Sequence, residues 1–127
     1  MDGSVSSQFI SSLLMVAPCF QKGLTLSMKG KIVSLPYILM TINLMKHFGV
    51  NTKTTPPHDK ERSSGFRVQN SEFKVPPKKY NPVSLTIEPD WSAASFWYEI
   101  AALSTEADIR IEGLSKKSIQ GDSIAAT

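Results

Sequence analysis

The chain has 127 residues, 41% of them apolar and 20% charged, with a formal net charge of +3 and one cysteine. That length holds one ordinary domain or pieces of two, and the composition is that of a folded protein. Scattered lysines, paired only at Lys78-Lys79 and Lys116-Lys117, form no basic stripe for nucleic acid, Cys19 alone closes no internal disulfide, and no stretch reaches the roughly 20 apolar residues that cross a membrane.

In chain order, the first helix is expected from Ser6 to Ala17, with Phe9, Ile10, Leu13, Leu14 and Ala17 on one inward face and a stop near Pro18. Gly3 reads as a flexible lead-in, and Ser6 or Ser7 as the cap. Cys19 reads as a small apolar filler at the helix end. After a turn at Gln21-Lys22-Gly23, Leu24, Leu26 and Met28 alternate with polar residues as a half-buried strand. A second helix opens after Ser34, with Pro36 in its first turn, and Ile38, Ile42, Met45 and Phe48 inward. Gly49 ends it, with His47 a favourable cation at the negative pole of the dipole.

Residues 50–54 read as a short strand, 56–65 as a polar loop, and 66–68 as a returning strand. In that loop His58 reads as a solvated side chain, since a metal site would need convergent ligands that the sequence does not offer there. Phe73 and Val75 mark another strand, and Val83, Leu85 and Ile87 a further one by alternation. Asp90 or Ser92 caps a third helix with Ala94, Trp97, Ile100 and Ala101 on one face and Trp91, Phe96, Tyr98 and Leu103 on others, so it expects neighbours on more than one side. Residues 107–112 read as a strand with Ile109 and Ile111 inward, followed by a loop at Gly113 and the start of a last helix. The sum is an α+β, α/β-like pattern with βαβ crossovers.

Chemistry enters at two helix starts. The N-terminus of a helix presents unpaired N–H groups and a positive dipole end, which favours an anion. Ser6, Ser7 and Gln8 stand at the first start and Ser34 at the second, each able to serve as a mere cap or as a ligand group. The text Asp2-Gly3-Ser4-Val5-Ser6-Ser7-Gln8-Phe9, then Val33-Ser34-Leu35-Pro36-Tyr37, then Ser118-Ile119-Gln120-Gly121-Asp122 resembles the 3-phosphoshikimate 1-carboxyvinyltransferase family (5-enolpyruvylshikimate 3-phosphate synthase). Between them, Glu88-Pro89-Asp90-Trp91-Ser92-Ala93-Ala94-Ser95-Phe96 resembles the family's acidic, serine- and alanine-rich helix start, and the motifs fall in the family's order.

The resemblance implies a fold of βαβαββ units in two domains, of which this chain holds most of one unit and the start of the next, as an internal segment. Residues 1–88 then end the first, shikimate 3-phosphate-binding domain, and 89–127 begin the second, incomplete one. The implied reaction moves the carboxyvinyl group of phosphoenolpyruvate to the 5-hydroxyl of shikimate 3-phosphate and releases phosphate. By motif match Ser6, Ser7 and Ser34 hold the 3-phosphate, Tyr37 lies beside the shikimate moiety, and Gln8 reaches between the substrates, since an amide both donates and accepts. Leu35 and Leu39 stand where many members carry a polar residue. No catalytic acid or base, cofactor or metal is assigned. The family's phosphoenolpyruvate clamp and proton-transfer groups fall outside these residues, so the chain alone is expected to be inactive. Asp90 reads as a cap and Asp122 as structural.

Three alternatives stand beside this reading: a related-fold enolpyruvyl transferase acting on a UDP-sugar, an RNA 3′-terminal phosphate cyclase-like module, and a non-catalytic oligomerising module. With no basic region ahead of the first apolar run, a signal peptide is not indicated, and the expected compartment is the cytoplasm. No nucleic acid or membrane partner is expected. The apolar surface of the third helix points to self-association.

Overall fold

Ser6 starts the first helix, α1 (Ser7–Val16), by accepting the Gln8 N–H on its hydroxyl at 3.4 Å. The computed structural model describes residues 1–30, 32, 34–55, 71–115 and 118–126. Ile10 and Leu14, one turn apart, are fully buried together with Ala17. This stripe is narrower than the sequence suggests. Phe9 lies about 100° round the helix from Ile10 and is 70% exposed. Pro18 does not end the helix abruptly; the chain tightens into a 3₁₀ turn at Ala17–Cys19. Cys19 is exposed there, not a buried filler.

Strand β1 (Leu24–Ser27) pairs antiparallel with β3 (Glu72–Val75), and β3 pairs antiparallel with β2 (Lys53–Thr55), giving the sheet order β1-β3-β2. Both neighbours oppose β3, so β1 and β2 run parallel to each other, with helix α2 (Leu35–His47) as the crossover between them. At the free edge of β1 the first residues of the chain add a parallel contact, Asp2 against Lys29. The terminal amine donates to the Ser27 carbonyl at 2.8 Å, the Lys29 N–H to the Met1 carbonyl at 2.9 Å, and the Gly3 N–H to the Lys29 carbonyl at 2.7 Å. Gly3 is therefore buried and pinned by its N–H, where the sequence reading expected a flexible lead-in.

The core joins Ile10 and Leu14 of α1, Leu35, Ile38, Ile42 and Met45 of α2, and Leu26, Met28, Phe73 and Val75 of the sheet. Burying each large side chain contributes about 1.5–3 kcal/mol. Leu35 thus serves packing. Phe48 is the C-cap of α2 and only half-buried, and the inward place expected of it goes to Val50, which is fully buried. Gly49, at φ 88°, donates to the Lys46 carbonyl at 2.9 Å, and Val50 donates to that of Met45 at 2.8 Å. Those two bonds form a Schellman closure, which takes Val50 out of the strand expected at 50–54. The expected loop 56–65 and strand 66–68 lie outside the described residues.

By contact the chain divides into two compact units, Met1–Val83 and Ser84–Thr127. The alternation at Val83, Leu85 and Ile87 makes no strand; residues 76–90 hold no helix or strand, and Ile87 is 86% exposed. Prolines at 76, 77, 82 and 89 remove N–H donors along this run, and no described strand pairs with it. Residues 107–112 are likewise unpaired, with Ile109 exposed and an exposed Arg110–Glu112 ion pair at 3.1 Å that adds little.

Helix α3 (Trp91–Leu103) is capped by Asp90, whose carboxylate accepts the Ser92 N–H at 2.8 Å. It buries only Trp91 and Ala94. Trp97 and Ile100, expected inward, are about half exposed, at 52% and 49%, and Phe96 and Leu103 more so.

Candidate functional site

The parallel pairing of Asp2 with Lys29 decides where the two motif helices begin. From Asp2 the chain leads into α1 within five residues, and from Lys29 into α2 within six. Two parallel extended segments that each feed a helix send both helices off from the same end of the sheet. A contact between the helices agrees: Thr41 Oγ1 of α2 lies 2.9 Å from Ser11 Oγ of α1. Ser11 is the fifth residue of its helix and Thr41 the seventh, so at 1.5 Å per residue the two starts differ by about 3 Å along the axis. Packed helices lie about 8–10 Å apart. The two positive dipole ends thus stand side by side.

At these ends Ser6 is exposed, Ser7 half-buried and Gln8 exposed. Ser34 is the N-cap residue of α2, half-buried, and its side chain makes no capping bond, unlike that of Ser6. Tyr37 is half-buried on the first turn of α2. So the structure brings Ser6, Ser7, Gln8, Ser34 and Tyr37 to one end of the Met1–Val83 unit. It is a surface that carries N–H groups, hydroxyls and one amide, which suits an anion bearing several acceptor oxygens.

In the sequence Asp2 stands only as the first letter of the motif, with no role of its own. Its carboxylate accepts the Ser4 N–H at 2.8 Å and the Ser4 hydroxyl at 2.6 Å. Those two bonds hold its pKa below the ordinary carboxylate value, so Asp2 stays ionised at neutral pH. Its part is to fold the turn that presents Ser6 and Ser7, an Asx-type arrangement signalled by the Asp-Gly-Ser text. The Ser11–Thr41 contact was also missed; the signal was a threonine inside the apolar stripe Ile38, Ile42, Met45. Ser71, just before β3 and in alternation with Phe73 and Val75, is 2% exposed, and its hydroxyl has no hydrogen-bond partner among the described residues.

The Ser118-Ile119-Gln120-Gly121-Asp122 motif docks on the start of α3. Ser118 donates to Glu88 at 3.0 Å and accepts the Gln120 N–H at 3.0 Å. The Gln120 side chain accepts the Trp91 N–H at 2.9 Å and donates to the Pro89 carbonyl at 2.8 Å, while Ser92 donates to Asp122. Asp90 and Asp122 are thus occupied in fixing a helix N-terminus.

A shallow cavity of about 510 Å³ lies at the opposite end of α1, lined by Pro18, Cys19, Phe20 and residues 77–80. There Tyr80 donates to the Met15 carbonyl at 2.8 Å, and burial, with Cys19 nearby, pushes its phenol pKa up. It is remote from the helix starts. Among the described residues no group of three His, Cys, Asp or Glu side chains converges as a metal site, and no helix is long and apolar enough to cross a membrane.

The profile of the family described as EPSP synthase (3-phosphoshikimate 1-carboxyvinyltransferase) matches residues 1–127. A Bacteroides fragilis protein of that name is 45% identical over 126 residues, which is 99% of this chain and 28% of the relative. Proteins of the same name from Buchnera aphidicola and Methanosphaera stadtmanae are 40% and 38% identical over 122 residues, 96% of this chain and 26% of each relative. The chain spans little more than a quarter of the length of the curated relatives it matches.

Proposed function

Since the chain belongs to the EPSP synthase (3-phosphoshikimate 1-carboxyvinyltransferase) family, we propose that it carries the shikimate 3-phosphate side of that transferase's active site. In this reading Ser6, Ser7 and Ser34 hold the 3-phosphate between the two helix starts. Tyr37 flanks the carbocycle, and Gln8 reaches between the two substrates. The observation that carries it is the pair of parallel helices whose N-termini, each headed by a motif serine, stand at one end of one sheet. The 3-phosphate is a fixed negative charge, and oriented N–H groups and hydroxyls receive it without reorganising.

The reaction follows from the family: the 5-hydroxyl attacks C2 of phosphoenolpyruvate, and phosphate leaves from a tetrahedral intermediate. This site binds and orients one substrate, which converts a bimolecular encounter into a positioned one. Proton transfer needs acid–base groups. We assign none among these residues, no cofactor and no metal, and the 127-residue chain by itself is expected to be inactive. We read residues 1–3 with α1, β1, α2, β2 and β3 as most of one βαβαββ unit, and α3 as the start of the next. The passage between domains is placed near Glu88-Pro89, within the irregular stretch 76–90. The compartment that goes with this reading is the cytoplasm. A UDP-sugar transferase and an RNA cyclase-like module are not favoured, because the matched profile and relatives carry the shikimate name.

Titration of the labelled chain with shikimate 3-phosphate tests the reading by amide chemical shifts. Residues 6–8 and Ser34, Leu35 and Tyr37 should move together and saturate together. Shifts confined to residues 18–20 and 77–80 would place the ligand in the other cavity and overturn it.

A further inference from the structure

Thr41 is a polar residue in a buried place. It is 7% exposed on the stripe of α2 that carries Ile38, Ile42 and Met45, where valine would fill the same volume without a hydroxyl to satisfy. Its Oγ1 lies 3.0 Å from the Tyr37 carbonyl oxygen one turn back and 2.9 Å from Ser11 Oγ across the interface. A carbonyl has no proton to give, so the Thr41 proton goes to Tyr37, and the second contact uses the proton of Ser11. The result is a directional chain, Ser11 to Thr41 to the Tyr37 carbonyl, in which each bond strengthens the next. It starts on α1 one turn past Ser7 and ends on the backbone of Tyr37, in the first turn of α2.

We infer that the Ser11–Thr41 pair is a positioning device: it sets the register of α1 against α2 and thereby the spacing of Ser6 and Ser7 from Ser34 and Tyr37. The inference rests on the function proposed above. The shared core is aliphatic, and apolar contact is non-directional, so it fixes a distance between helices more firmly than a slide along them. A hydrogen bond weakens steeply outside its distance and angle range, so it discriminates against a slide. The pair joins the two helices one turn past Ser7 and Tyr37 and about two turns past Ser34, so its geometry reaches the site along the helices.

Thr41→Val, Thr41→Ser and Ser11→Ala are compared with wild type by calorimetry with shikimate 3-phosphate and by amide shifts of the ligand-free chain at residues 6–8. Thr41→Val keeps the shape and removes the proton chain. It is expected to weaken binding about tenfold and to move the amides of residues 6–8 on the other helix. Ser11→Ala should act in the same direction, and Thr41→Ser should return both readouts to near wild type. Unchanged binding with unmoved amides in Thr41→Val, or failure of Thr41→Ser to rescue, overturns the inference. Absence of binding in every protein, wild type included, refutes the ligand reading instead; the amide shifts in Thr41→Val and their return in Thr41→Ser then decide the positioning claim by themselves.

Discussion

Replacing Gly23 by alanine should destabilise the Met1–Val83 unit far more than the same change at Gly49. Both residues have positive φ, 67° and 88°. An L side chain in that region costs about 1–2 kcal/mol, partly offset by a stiffer unfolded chain, so each change begins near about 1 kcal/mol. They differ in what the new methyl group meets. At Gly49 a Cβ would lie 2.5 Å from the side-chain nitrogen of Asn81, an exposed residue that can swing aside. At Gly23 it would lie 2.2 Å from the Val75 carbonyl oxygen, 2.9 Å from the Pro77 nitrogen and 3.0 Å from the Pro76 carbonyl carbon. All three are backbone, at the end of β3 where Leu24 pairs with Val75. Relief requires the β1–β3 ladder to part, adding about 1–3 kcal/mol as overpacking does. At a typical urea slope, a gap of about 2 kcal/mol separates the two midpoints by about 1 M. Both tryptophans, Trp91 and Trp97, lie in the other unit, so unfolding is followed through hydrogen exchange of α2 amides such as Ile42. A Gly23→Ala variant as stable as Gly49→Ala would refute the steric reasoning.

Ser71→Ala should be neutral or stabilising by up to about 1 kcal/mol in the same assay, because it removes a buried hydroxyl with no partner among the described residues. Gln120→Ala deprives the Trp91 N–H of its acceptor and should cost about 1–3 kcal/mol, read as a red shift of tryptophan emission when the 2% exposed Trp91 unseats. Tyr80 has a phenol pKa raised in the folded state, so its contribution to stability is present below the unfolded value of 10.0 and is lost as pH rises through the higher folded value. Unfolding midpoints of wild type and Tyr80→Phe across pH 8–11 should show a steeper alkaline decline in wild type. The exposed Phe96, Trp97, Ile100 and Leu103 should make the 127-residue chain self-associate, so its sedimentation coefficient should rise over a hundredfold concentration range.

What was legible in the sequence was local. Ser6 and Asp90 start helices and Gly49 closes one through bonds that reach only a few residues, and the spacing of Ile38, Ile42 and Met45 follows one helical face. The alternation of Leu24, Leu26 and Met28 succeeded because β3 lies beside it. The same pattern at Val83, Leu85 and Ile87 failed because alternation describes a face and says nothing of a partner. Phe9, Trp97 and Ile100 failed for a related reason: apolar residues on several sides of a helix do not tell which side is covered. Asp2 against Lys29 and Ser11 with Thr41 bring together distant positions that no local signal joins. The motif serines were visible as text; their common end of the sheet was not.

The central claim is that Ser7 and Ser34, on two helices, hold one phosphate. It is tested most directly by calorimetry of shikimate 3-phosphate with wild type, Ser7→Ala, Ser34→Ala and the double variant. Each lost hydroxyl bond to a charged phosphate should cost about 1.5–3 kcal/mol in a formed site and less in an open one, and the double variant should show no measurable binding. Wild-type affinity in both single variants would contradict the account.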